Sequence, residues 1–152
     1  MTVRTNTMTA PAYTDAYGGA IGEPGTVTQP VRSGALAAGV ALLLNAALFV
    51  VVATTGASFL LRPPGGSAFP ATLVSVVIAS VAPVALATVA LALLRRSRGA
   101  VTALAWAGLA VGVATAVFPL SMGGDTTVRA ALAAMHVITG LAWFVSVRRA
   151  QH

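Results

Sequence analysis

The chain has 152 residues, of which 57% are hydrophobic and 8% are charged, and its mean hydropathy is +0.89. This composition excludes an ordinary soluble domain and predicts an integral membrane protein. The net charge of +6 comes from nine arginines and no lysine, against three acidic residues. Most of these arginines lie at the ends of apolar runs, as topology signals do, so nucleic acid is not an expected partner. Because cysteine is absent, disulfides and thiolate metal sites are excluded.

Residues 1–32 are rich in Thr, Pro, Gly and Ala and show no apolar periodicity, which predicts a disordered cytoplasmic tail. Tyr13 and Tyr17 are interpreted as solvated side chains in preference to a recognition motif. A secretory signal peptide is not indicated, because the apolar run that begins after Arg32 is longer than an h-region of about 7–15 residues.

Four apolar runs follow, and they predict an all-α fold: a four-transmembrane-helix bundle over residues 33–149. The first span is predicted at about residues 34–56, because no charge occurs between Arg32 and Arg62 and a span needs about 20 residues. The helix is expected to end within residues 53–58, which are less apolar. The prolines and glycines of residues 62–67 then predict a tight loop.

The second span is predicted at about residues 68–94, with Pro70 in its first turn. Pro83 lies near its middle, where it leaves the Ala79 carbonyl without its usual donor and predicts a kink.

The third span is predicted at about residues 100–122 and carries Gly108 and Gly112 in a small-xxx-small spacing. Close contact there is expected with a helix of the same chain, and a second copy remains the alternative. Pro119 and the following glycines mark its end. The fourth span is predicted at about residues 127–147, with Asp125 suited to cap it.

The arginine distribution predicts the orientation. With four spans, the side that holds both termini and the middle loop carries seven arginines and the opposite side two, Arg62 and Arg129. The positive-inside rule therefore predicts a multi-pass protein of the plasma membrane with N- and C-termini in the cytoplasm. Trp143 lies near that face and suits an interfacial belt position.

Counting from the cytoplasmic arginines at about 1.5 Å per residue places Asn45, Pro83, Gly112 and His136 at one depth, roughly 18–21 Å, just past the bilayer midplane. Polar side chains are costly against lipid, so a midplane polar cluster is predicted, in which the Ala79 carbonyl could bind Asn45 or His136. The predicted cluster consists of Asn45, Ser80, His136 and Thr139, with Ser75 as a further candidate. His136 is interpreted either as a packing residue or as a proton or ligand site, and Asn45 as a contact between helices.

A second candidate group lies at the outer face: Arg62, Asp125 and Arg129. Asp125, Arg129, His136 and Trp143 would share one face of the fourth helix, about 40° wide. Asp125 can pair with Arg129 one turn later or with Arg62. A helix cap with a local ion pair is preferred to substrate recognition.

The chain lacks the residues that several kinds of functional site require. Haem between helices usually needs paired histidines, and a zinc site needs three or four ligands, so neither a cofactor nor a metal is expected. Four-helix drug exporters use a glutamate in the first span, where this chain has Asn45. Neither a serine nucleophile with a base nor a nucleotide-binding loop is marked.

Four short motifs lie in or next to the spans: Leu44-Asn45, Arg62-Pro63-Pro64, Phe118-Pro119-Leu120 and Met135-His136. Through these motifs, over roughly residues 32–149, the chain resembles an uncharacterised family of small four-helix actinobacterial membrane proteins. The resemblance implies fold and location and transfers no catalytic residue.

Three hypotheses for function follow. The preferred one is a non-enzymatic structural or accessory component of the cell envelope, in contact with the bilayer and with a second copy or a larger membrane complex. The second is an oligomeric small-molecule or proton-coupled transporter that uses His136 and Asn45. The third is an enzyme acting on a lipid or quinone with Asp125 and Arg62.

Overall fold

The computed structural model describes residues 28–151, and within that range the predicted all-α bundle is confirmed. Four helical segments of this range are long and apolar enough to cross a membrane: Gln29–Thr54, Leu73–Leu94, Arg98–Ser121 and Thr126–Arg149. The chain is therefore a multi-pass membrane protein. The predicted tail up to residue 27, with Tyr13 and Tyr17, lies outside the described residues.

Helix α1 (Thr28–Thr54) begins earlier than predicted, so residues 28–32 are helical and their assignment to a disordered tail was wrong. The polar side chains of this first turn find partners. Ser33 Oγ donates to the Gln29 carbonyl at 3.0 Å, and Gln29 Nε2 donates to the Ala150 carbonyl at 2.8 Å. The predicted end of the helix is confirmed at Thr54, where the sequence becomes less apolar.

A small hairpin connects the first two spans. Strands β1 (Leu60–Leu61) and β2 (Phe69–Pro70) pair antiparallel, and the predicted turn lies between them, with Gly65 at a φ of 71°. The prediction that Pro70 starts the second helix was wrong. A two-stranded sheet has only edge strands, and such strands tolerate the missing N–H of proline.

Helix α2 (Leu73–Leu94) begins after Thr72, whose side chain forms a capping box with Ser75. It runs without interruption through Pro83, and the predicted kink stays a prediction. Helix α3 (Arg98–Thr115) and the short helix α4 (Val117–Ser121) form the third span. The break between them is at Ala116, three residues before Pro119, whose ring would clash with the carbonyl of Thr115 in a continuous helix. The fourth span is helix α5 (Thr126–Arg149).

The four spans form an open arc. Helix α5 packs along both α1 and α3, and α1 also packs along α2, whereas α2 and α3 contact each other only sparsely. The helix order around the arc is therefore α2, α1, α5, α3. Two apolar clusters fill the interior, one toward each end: Ala37, Val84, Leu91, Ala105, Trp143 and Val147 in the first, and Val52, Leu61, Ala71, Met122, Val128 and Ala131 in the second.

The hairpin is held against the turn between α4 and α5. Arg62 N–H donates to the Gly123 carbonyl at 2.9 Å, and Gly123 N–H donates to the Arg62 carbonyl at 2.7 Å. Gly124, at a φ of 134°, lies so close to the Leu60 carbonyl that a Cβ would be 2.7 Å from its oxygen. These backbone contacts cover the arginine-poor end of the bundle.

Candidate functional site

The gap between the two ends of the arc is a cleft of about 540 Å³. Helices α2 and α3 form its walls, α5 forms its back, and the hairpin residues Leu61, Phe69 and Ala71 close one end. Asn45 is the residue through which α1 reaches it. Within residues 28–151, none of the side chains that line the cleft is Arg, Asp or Glu. The cleft is therefore apolar and neutral, apart from a few polar groups at mid-depth.

Asn45 ties three helices together at this cleft. Its side chain is 1% exposed, and its Nδ2 donates to Ser80 Oγ of α2 at 2.8 Å and to Thr139 Oγ1 of α5 at 3.0 Å. Thr139 in turn donates to the Met135 carbonyl at 2.9 Å. The Oδ1 atom of Asn45 is buried and has no partner among residues 28–151. One acceptor of the cluster is therefore unfilled.

His136 lines the same cleft and bonds within its own helix. Its Nδ1 lies 2.7 Å from the Leu132 carbonyl oxygen. Because a carbonyl only accepts, the proton of the neutral ring is on Nδ1, and Nε2 keeps a free lone pair. The structure thus brings all four predicted cluster residues to one cleft and links three of them by hydrogen bonds. The predicted contact of Asn45 or His136 with the Ala79 carbonyl was wrong, since both bond elsewhere.

Helices α3 and α5 meet at a seam of small residues. A Cβ on Gly112 would lie 2.8 Å from the His136 carbonyl oxygen and 2.9 Å from Gly140 Cα. A Cβ on Gly108 would overlap the indole of Trp143. The close approach predicted for Gly108 and Gly112 is therefore made within the chain.

Trp143 does not lie in an interfacial belt, and that prediction was wrong. It is 2% exposed, and its Nε1 donates to the Leu104 carbonyl at 3.2 Å. The indole fills the space that Gly108 leaves open, so its one polar group is satisfied inside the bundle.

The outer-face group is not assembled as predicted. Asp125 caps α5, as expected: its Oδ1 accepts from Thr127 N–H at 2.8 Å and Val128 N–H at 3.4 Å. Among the described residues, however, Asp125 pairs with neither arginine. The Arg129 guanidinium donates to the Leu120 carbonyl, and Arg62 uses its backbone to bind Gly123. The side chains of Asp125 and Arg129 thus bind separate backbone groups, and Arg62 is held through its own backbone.

Comparison with known proteins gives a family and no function. A family of unknown function (DUF6069) matches residues 25–152, which is most of the chain. The chain belongs to this family. No curated protein and no solved structure matches it. The cleft of this DUF6069 member must therefore be interpreted from its own chemistry.

Two features of this DUF6069 protein were not predicted from its sequence. Gly140 completes the seam with Gly112, and its signal was the glycine pair itself, which requires a small residue on the facing helix. The cleft depends on which helices are neighbours, and the sequence carries no direct signal for that.

Within residues 28–151 no cluster of three or more His, Cys, Asp or Glu residues could hold a metal ion.

Proposed function

We propose that this chain is a non-enzymatic accessory or structural protein of a bacterial plasma membrane. The observation that carries the proposal is the contact of Asn45 with Ser80 and Thr139. Through these hydrogen bonds the buried amide of Asn45 joins α1, α2 and α5. Polar side chains used in this way stabilise helix packing in membranes. The resemblance to small actinobacterial membrane proteins supports the bacterial location.

Asp125 and His136, the candidates for acid–base chemistry, each have a backbone partner, which leaves Nε2 of His136 without one. Asp125 accepts two backbone N–H groups at the start of α5, and the His136 proton binds a backbone carbonyl. A general base must lie within about 3.2 Å of the atom that carries the proton it removes, or reach that atom through one water. Among residues 28–151 no hydrogen bond joins His136 to a serine or threonine hydroxyl, so the described residues contain no preformed pair of a hydroxyl nucleophile and its base.

The proposed topology has both termini in the cytoplasm, and the cysteine-free sequence makes it simple to test. A Ser67→Cys variant places a thiol in the hairpin loop, and Ser97→Cys places one between α2 and α3. A membrane-impermeant maleimide should label Ser67→Cys in intact cells and Ser97→Cys only after permeabilisation. The reverse pattern would overturn the orientation.

The accessory role requires a protein neighbour, either a second copy or a larger complex. The lipid-facing side chains Leu43 and Leu93 are highly exposed on α1 and α2, so a photo-crosslinking residue at either position would report what lies beside the bundle in living cells. We expect a protein adduct of one defined mass that depends on irradiation. Lipid adducts alone, at both positions, would contradict the accessory role.

Transport is the second candidate, and the cleft that reaches His136 and Asn45 is the observation in its favour. It needs a water path to His136, and the surface of Gly108 and Gly112, where a second copy was the alternative partner, is occupied by α5. Proteoliposomes with an imposed pH gradient test it directly. Faster collapse of the gradient with the native chain than with His136→Phe would favour transport.

A further inference from the structure

The cleft contains more hydrogen-bond acceptors than donors. His136 contributes Nε2, the nitrogen left without a proton when Nδ1 binds Leu132. Asn45 contributes an Oδ1 that is unpartnered among the described residues. The Ala79 carbonyl, which also belongs to the lining, lacks its helical donor because Pro83 has no N–H.

Most donors of the lining, in contrast, are already used on backbone carbonyls. Trp143 Nε1 donates to Leu104, Thr115 Oγ1 to Val111 and Thr139 Oγ1 to Met135. A molecule that enters the cleft therefore meets the accessible acceptor His136 Nε2 at mid-depth and apolar surface elsewhere. An acceptor that faces an apolar space without a donor costs free energy, and a ligand that donates a hydrogen bond to it recovers that cost.

Size and charge restrict that molecule further. A volume of about 540 Å³ falls within the range of about 300–1,000 Å³ typical of small-molecule sites. The lining carries no Arg, Asp or Glu among residues 28–151, so a charged ligand would lose its hydration without gaining a counter-ion. The opening between α2 and α3 is bordered by exposed apolar side chains such as Leu86 and Val111, so entry is from the lipid.

We propose that the cleft between α2 and α3 binds a neutral, lipid-soluble molecule that bears a hydroxyl group, with the hydroxyl donating to His136 Nε2 beside Asn45. The apolar body of the ligand lies between the walls formed by α2 and α3. This binding site goes beyond the proposed accessory role and does not depend on it. Failure of the binding test would leave the crosslinking test of that role untouched.

The test uses the full chain in lipid nanodiscs with Trp106→Phe, which leaves Trp143 at the back of the cleft as the only tryptophan. The probes are 11-bromo-1-undecanol and its methyl ether, because bromine quenches a nearby indole and the ether has no donor. We expect saturable quenching by the alcohol, at a half-saturating concentration about tenfold lower than for the ether, as one hydrogen bond provides. Equal affinities, or quenching that never saturates, would overturn the proposal.

Two variants assign the acceptor. His136→Phe should abolish the tenfold preference for the alcohol, whereas Thr54→Val, which alters a hydroxyl bonded to its own helix outside the cleft, should keep it. Persistence of the preference in His136→Phe would overturn the assignment. If that variant does not fold, the nitrogen NMR signal of His136 decides, in a chain with His152→Gln so that one histidine remains. The alcohol should shift the Nε2 resonance and the ether should not, and an unchanged resonance would count against the proposal.

Discussion

The two sides of helix α3 differ sharply in how they pack. Toward α5, glycine lies against glycine and an indole fills the remaining space. Toward α2, the same helix contacts little and borders a cleft. In a membrane, helices associate through close packing and polar contacts, because lipid is as apolar as leucine. The α3–α5 seam has close packing and polar contacts, and the α2–α3 side has neither. The seam therefore stabilises the bundle, and the α2–α3 side leaves room for a ligand.

Removal of the Trp143 side chain should have the largest effect, because it would remove the packing on which the seam depends. Trp143→Ala is expected to lower the free energy of unfolding in mild detergent by about 3–5 kcal/mol, as for other buried aromatic truncations. Thermal or denaturant unfolding of the purified chain measures it.

The second tryptophan gives the matched control. Trp106 is 56% exposed and contacts Phe144 in a tilted arrangement at a ring-centroid distance of 4.6 Å, so Trp106→Ala should lose no more than about 1.5 kcal/mol. Equal losses in the two variants would show that the seam contributes no special stability.

A side chain at Gly112 should force α3 and α5 apart. Gly112→Val is expected to cost about 1–3 kcal/mol, the range for overpacking, because its Cβ would meet backbone atoms that cannot move independently. Gly39→Val is the control, since a Cβ there meets nothing within 4 Å. The melting temperatures of both variants in the same detergent decide, and native stability in Gly112→Val would contradict the close seam.

The cap at the start of α5 makes a smaller contribution to stability. Asp125→Ala should lower the free energy of unfolding by about 1 kcal/mol through loss of the cap, whereas Asp125→Asn should stay near native because asparagine caps equally well. If an ion pair with Arg129 provided the stability instead, both variants would lose it. Denaturant unfolding of the two variants separates these cases.

The sequence predicts the spans well and the contacts between them less well. Apolar runs bounded by arginines determine where a chain crosses a bilayer, and counting from those arginines placed Asn45 and His136 at one depth. Depth does not define direction around a helix. His136 binds the Leu132 carbonyl of its own helix, and not the Ala79 carbonyl across the cleft.

Ambiguous residues explain the other errors. Pro70 is compatible with both a first helical turn and an edge strand, and only the pairing with β1 decides between them. Asp125 could both cap α5 and pair with Arg129, but a capping carboxylate points toward the backbone N–H groups that follow it. Trp143 lay at interfacial depth, yet Gly108 on the facing helix gave the indole a buried place.

The smallest predicted effect is the coupling between Asn45 and Thr139, whose hydrogen bond would hold the polar groups of the cleft in place. A double-mutant cycle of Asn45→Ala and Thr139→Val should give a coupling of about 0.6 kcal/mol, typical of hydrogen bonds between membrane helices. The control cycle pairs Asn45→Ala with Thr115→Val and should give none, because the Thr115 hydroxyl binds its own helix. Thermal unfolding of all six proteins in one detergent provides both cycles. A coupling near zero in the first cycle would mean that Asn45 does not hold α1 against α5. The cleft would then lack a fixed layer of hydrogen-bond acceptors. The two sides of α3 would differ only in the volume of the side chains that fill the space beside it.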